Sequence, residues 1–199
     1  MKFPRIHLLC LACLILSPAV TPVAAKVFGL STAQQELDAA RLKLQSENLE
    51  LDHADGQPRA AISPRGDLLI GDQPVDLTPR QRALLLEHRE RVLAIANAGL
   101  DAAEQGIGLA GSAVGAVPWL IFGGEKAAKR FEQRIEAEAA RIEAQALAIC
   151  DRLPELLEGQ QRLAAELPAF APFATMTQDD IDDCAKDRRE ALARVEAMR

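Results

Sequence analysis

The feature that most constrains this chain lies at Thr78, where its hydrophobic period changes. Before Thr78, short apolar stretches alternate with period two and are broken by turn residues. After it, apolar residues recur by threes and fours to the end of the chain. Strands followed by helices, rather than strands alternating with helices, predict an α+β domain with an antiparallel sheet.

In the first region Leu49-Glu50-Leu51-Asp52-His53 reads as a strand, and Ala54–Pro58 as a turn. Ala60–Ile62 is a second strand, and Ser63-Pro64-Arg65-Gly66 a second turn. Asp67–Ile70 and Gln73–Leu77 form a hairpin around Gly71-Asp72, because glycine supplies the positive φ of a primed turn. Pro74 marks the last strand as an edge. Such a meander is too small to stand alone. Thr78-Pro79-Arg80-Gln81 then starts a helix. Thr78 caps, Pro79 sits where its missing N–H costs nothing, and Gln81 reaches back to the cap. This helix is expected to run to about Gln105, with Leu85, Val92, Ala96, Leu100 and Ala103 on its apolar face.

The stretch Gly106–Gly124 carries no charge and is rich in glycine. Gly106-Ile107-Gly108-Leu109-Ala110-Gly111 matches G-x-G-x-x-G, but a dinucleotide fingerprint must follow a strand and open a helix. Here a helix precedes it, so that reading is set aside. Gly111 and Gly115 have the spacing of a membrane helix-packing motif, and Trp119-Leu120-Ile121-Phe122 has the character of an interfacial wedge. The favoured reading is a small-residue helix or helical hairpin buried against its neighbours.

Glu125–Leu153 reads as a long amphipathic helix with Phe131, Ile135, Ala139, Ile142, Ala146 and Ile149 inward. Its charges form a solvated face, with Glu138 placed to meet Arg134 and Arg141. Pro154 ends or kinks it, and a helix over Glu155–Leu167 follows. Pro168–Phe173 is a connector carrying two apolar rings. Thr177 caps a last helix, with Met176 and Ile181 spaced as a hydrophobic staple. The carboxylates Asp179, Asp180, Asp182 and Asp183 suit the positive end of that helix better than a cation site, since no calcium-type loop accompanies them. The expected fold is therefore α+β and predominantly α-helical: a small N-terminal β-meander packed on a helical bundle. Residues 26–46 are a lead-in, within which 31–45 read as a short helix or a frayed segment, 47–77 are the meander and 78–199 the helical region, all in one domain.

The N-terminus has the parts of a secretory leader: Lys2 and Arg5, then an apolar core over Leu8–Leu16, then small residues ending at Ala25. Val23 and Ala25 fit the −3 and −1 positions, so residues 1–25 read as a signal peptide cut between Ala25 and Lys26. The core is shorter than the ~20 residues of a membrane span. An uncleaved anchor, or a lipoprotein site at Cys13, fits less well. Cleavage discards the Cys10–Cys13 pair and lowers Lys+Arg from 23 to 21 against 29 Asp+Glu, so the net charge moves from −6 to −8. An acidic chain without a basic, aromatic-laced face excludes nucleic acid as a partner. The two remaining cysteines, Cys150 and Cys184, are expected to pair in an oxidising compartment. Two free buried thiols are the alternative.

Catalytic chemistry has little to stand on. His53 and His88 have no partner at metal-ligand spacing, and no serine sits in a G-x-S-x-G elbow. No cofactor or metal site is expected.

Ser63 through Thr78, followed by Gln81-Arg82, resembles the hairpin-to-helix segment of the YggN-like family of exported proteobacterial proteins. A Gly/Ala-rich helical middle, a charged helix and a cysteine near Cys150 extend the likeness across residues 47–153. The family pattern has a cysteine near the mature N-terminus that this chain lacks, which leaves Cys184 as the partner of Cys150. The resemblance implies a periplasmic protein and carries no catalytic residues. The expectation from sequence is an exported, non-enzymatic interaction or structural protein of the cell envelope. Its partner would be another protein or, through Trp119–Phe122, a membrane surface. An unrecognised hydrolase is the remaining alternative.

Overall fold

The computed structural model describes residues 22–52, 56–116 and 124–198, with the side chains of residues 22–28, 114 and 115 excepted. Helix α1 (Pro22–Ser46) leads into strands β1 (Leu49–Leu51), β2 (Ala60–Ile62), β3 (Leu68–Ile70) and β4 (Gln73–Pro74). Helix α2 (Pro79–Gly115) is followed by α3 (Gly124–Ala146), a 3₁₀ segment (Leu147–Arg152), α4 (Leu153–Glu166), a 3₁₀ turn (Ala171–Phe173) and α5 (Gln178–Ala197). The α+β, mostly helical class expected from the period change is the one observed.

The sheet is an antiparallel meander in the order β1-β2-β3-β4. Gly71 and Asp72 both have positive φ (55° and 64°), the signature of a type I′ turn, and Ile70 faces Gln73 across it. The strand at Pro74 is an edge, but it stops there. Val75 still donates its N–H to the Leu68 carbonyl, and Val75 and Leu77 turn into the core. β1 ends at Leu51; His53 lies outside the described residues. Asp67, expected in a strand, closes the preceding turn instead. Ser63 Oγ donates to its carboxylate at 2.9 Å and accepts the N–H groups of Arg65 and Asp67.

The core gathers Ile62 and Leu68 from the sheet, Leu85 from α2, Leu163 and Leu167 at the end of α4, and Phe170 from the connector. Leu85, Leu163 and Phe170 are fully buried, and truncating such a leucine typically costs about 2–5 kcal/mol. The connector thus supplies its rings to the core, with Phe173 buried as well.

Three boundaries differ from expectation. α1 spans Pro22–Ser46 rather than a short lead-in, and its C-terminal carbonyls are closed from outside. The buried Arg89 guanidinium donates to Leu44 O at 2.9 Å and Glu47 O at 3.0 Å. A cation at that end also suits the helix dipole. α2 does not stop at Gln105 but continues through Gly106, Gly108 and Gly111 to Gly115. Glycine costs helix stability intrinsically, but here tertiary packing decides. α1 runs antiparallel beside this stretch, with Leu30 Cδ1 3.8 Å from where a Cβ on Gly111 would lie. Finally, α3 ends at Ala146, not Leu153, and Pro154 occupies the first turn of α4. Proline breaks a helix interior but fits a helix start, where its missing N–H has no partner to lose.

α2 and α3 pack together, but the glycine-rich segment is not buried as expected: its described residues are half-buried or exposed, Gly108, Ala110 and Ser112 among the exposed. α5 packs back along α3 and the 3₁₀ segment, joined by the Cys150–Cys184 disulfide with a Cα–Cα distance of 5.6 Å. Arg188 pairs with Asp151, and Arg194 with Glu143 at 2.5 Å.

Candidate functional site

The residues singled out from the sequence fall in different places. Cys150 and Cys184 are joined, and their role is structural. Ala25 and Lys26 lie within α1, while Trp119, Leu120, Ile121 and Phe122 lie outside the described residues. No helix among the described residues is long and apolar enough to cross a membrane. In the described part of the Gly106–Gly124 stretch, Gly111 lies beside Leu30 of α1 and Gly108 and Ser112 line a cleft toward α3, with Gly108, Ala110 and Ser112 exposed.

Two clefts stand out, and α2 lines both. The first, of about 580 Å³, lies between its glycine-rich end and α3. Gly108, Ser112 and Ala116 form one wall at a spacing of four; Phe131, Ile135 and Ile142 form the other. The small side chains on α2 leave the space open, and the α3 wall is the apolar stripe read from the sequence. Gln105, Arg134 and Glu138 make its polar lip. The Ser112 hydroxyl is turned onto its own helix, donating to Gly108 O at 3.1 Å. Glu138 pairs with Arg141 at 3.3 Å, as the three-residue spacing suggested.

The second cleft, of about 490 Å³, is built from four segments remote in sequence. Leu49–Asp52 supply one wall and Phe173, Thr175 and Met176 the opposite one. His88 and Val92 of α2, with Leu156 and Gln160 of α4, complete it, and Asp180 stands at its mouth. The buried Gln160 side chain holds the far wall in place. Its Nε2 donates to Met176 O at 3.0 Å and its Oε1 accepts the Met176 N–H at 3.3 Å. Asp180 accepts the N–H and hydroxyl of Thr177 at 2.7 and 2.8 Å, and these bonds lower its pKa and keep it charged. Thr177 and Asp180 thus form the cap expected for α5, and Ile181 beyond them is buried.

His88 is the group that sequence reasoning missed. It is 5% exposed, meets the edge of Phe170 at 5.4 Å, and has no hydrogen-bond partner for Nδ1. Burial, helped by the nearby Arg91 charge, pushes its pKa down to about 4, so the ring is neutral at neutral pH. Among the described residues no serine lines this cleft. Among the described residues no group of three or more His, Cys, Asp or Glu is placed to hold a metal ion. The arrangement offers shape, apolar surface and charge, which are the means of binding. No protein-family model, curated protein or solved structure matches this chain.

Proposed function

We propose that this chain is an exported, non-enzymatic interaction protein of the bacterial envelope, which receives an amphipathic helix of a partner protein in the α2–α3 groove. The observation that carries this reading is the form of that groove. A small-residue track at Gly108, Ser112 and Ala116 faces an apolar ridge at Phe131, Ile135 and Ile142. Small residues permit close backbone approach, and apolar positions at i, i+4 and i+11 match the stripe of a docked helix. α1 occupies another side of α2, where Arg41 pairs with Asp101 and Glu104 at 2.7 and 2.8 Å. α5 covers α3 as far as Glu143 and the buried Ala140. The groove is thus a position that a further helix could take in the bundle. Arg134 and Glu138, one turn apart on its lip, favour a partner helix that carries an acidic and then a basic residue at matching spacing.

The address is supported by the leader-like residues 1–25, by the likeness of residues 63–82 to YggN-like exported proteins, and by the disulfide. Fractionation with N-terminal sequencing should find the protein in the periplasm, beginning at Lys26. For the groove, a photocrosslinking residue at Ser112 should give one adduct of defined mass in cells. Gly108→Trp, which fills the groove, should abolish it. An adduct that persists in Gly108→Trp, or that forms equally from Leu192 on α5, would refute the groove as the site.

A further inference from the structure

The second cleft runs along the open edge of the sheet. Successive residues of a strand point to opposite faces, so a cavity on one face of β1 would meet Leu49 and Leu51 or else Glu50 and Asp52. This cleft touches all four, so it lies against the strand's edge. β1 is the first strand in the sheet order and, among the described residues, pairs with β2 alone, so its outer edge carries backbone N–H and C=O groups outside the ladder. The segment across the gap does not take them up. The N–H and C=O of Met176 are both held by Gln160, and Thr177 donates its N–H to Asp180.

The chemistry around that edge is one-sided. Leu49 and Leu51 pack toward the core, and Val92, Leu156, Phe173 and Met176 continue an apolar lining. Among the described residues, those with charge that line the cleft are Glu50, Asp52 and Asp180, with no Lys or Arg. His88, more than nine-tenths buried, adds its ring to the same wall. We infer that the open edge of β1 takes up an extended peptide segment in which aliphatic and basic residues alternate. The added strand would pair its backbone with β1. Its aliphatic side chains would lie over Leu49, Leu51 and Val92, and its Lys or Arg side chains would lie beside Glu50 and Asp180. This inference is independent of the helical groove, since the two clefts are lined by different residues.

The test uses a fluorescein-labelled hexapeptide of alternating Val and Lys with blocked ends, titrated with the purified full-length secreted protein and followed by anisotropy. Saturable binding is expected, with slowed amide exchange at residues 49–52. Glu50→Lys should weaken it by about tenfold or more, whereas Glu132→Lys, the same charge change on α3, should stay within about twofold. Glu50→Gln, with circular dichroism as the control for folding, should fall between. A peptide with Glu in place of Lys should not bind. Nor should one with Pro in place of Val, which keeps the charges but removes backbone donors. Four outcomes would overturn the inference. They are no saturable binding at about 1 mM, undiminished binding of the Pro peptide, binding of the Glu peptide, and equal weakening by the two charge reversals.

Discussion

Reducing the Cys150–Cys184 bond should destabilise the protein by an amount the chain itself sets. The bond closes a loop of 34 residues, and the chain-entropy relation gives about 3.8 kcal/mol at 25 °C for a loop of that length. At roughly 2–4 °C per kcal/mol for a domain of this size, the melting temperature should fall by about 8–15 °C. The effect should be concentrated in α5. The main core of Ile62, Leu68, Leu85, Leu163, Leu167 and Phe170 takes nothing from that helix. α5 buries only Ile181 and Ala191, and its ties to Asp151 and Glu143 are exposed ion pairs of small net worth. Cys150→Ser with Cys184→Ser should therefore lower the urea midpoint and raise amide exchange in Gln178–Ala197 well before exchange rises around Leu85. Urea titration with exchange mass spectrometry measures both. A loss below about 1 kcal/mol, or exchange rising uniformly through the chain, would refute the view that the bond staples a helix the core does not hold.

Two further perturbations follow from the packing. Gly66→Ala should cost about 1–3 kcal/mol in urea unfolding, because Gly66 has φ +78° and an added Cβ would lie 2.7 Å from Leu86 Cγ; a change under about 0.5 kcal/mol would contradict the docking of that turn on α2. His88 supplies a pH dependence. Its folded pKa, about 4, lies below the ordinary 6.5, so between those values the unfolded chain binds the proton more readily. Stability is full above about pH 6.5 and is lost as pH falls toward 4, by about 3 kcal/mol for one group shifted this far. Urea midpoints across that range should slope in the wild type, and the slope should flatten in His88→Phe. An unchanged slope in the variant would assign the proton elsewhere.

The elements readable from sequence are those whose signal is local. Thr78 and Gln81 form the cap their spacing announces: Gln81 Oε1 accepts the Thr78 N–H at 3.0 Å, and Thr78 Oγ1 accepts the Gln81 N–H at 3.2 Å. Gly71-Asp72 turns as a primed hairpin must. What failed was decided by neighbours. Nothing between Gln105 and Gly115 says that α1 and α3 will lie alongside, so intrinsic propensity ended the helix too early. Ala139 and Ala140 are indistinguishable to a periodicity argument, yet Ala140 is buried and Ala139 exposed; likewise Ala103, expected inward, is exposed. Arg89 of α2 is of a type usually found on a solvated face but is 7% exposed, because it reaches the open carbonyls ending α1. The second cleft was unreadable for the same reason. Its wall depends on a Gln160–Met176 pairing, and its floor on His88, and no spacing connects them.

These polar ties also explain why α2 can line two clefts of different character. Along its first half, successive side chains fasten separate parts of the molecule to it. Gln81 donates to Glu166 O at 2.8 Å, Arg82 pairs with Asp67, and Arg89 holds the end of α1. Arg91 lies so close to Gly159 that a Cβ there would meet its guanidinium at 2.5 Å. The cleft beside this half is therefore already shaped before anything enters it, and an extended peptide would bind with little ordering of the protein. Among the described residues the second half has no such fastenings on its α3 side, where Gly108, Ser112 and Ala116, with Gln105 and Leu109, face an apolar stripe. A groove of that kind accepts a helix by sliding and repacking, so its selectivity rests on the stripe and on Arg134 and Glu138 at the lip. One helix thus carries a fixed site and an adaptable one, and the change from one to the other falls where its long polar side chains give way to glycine and alanine.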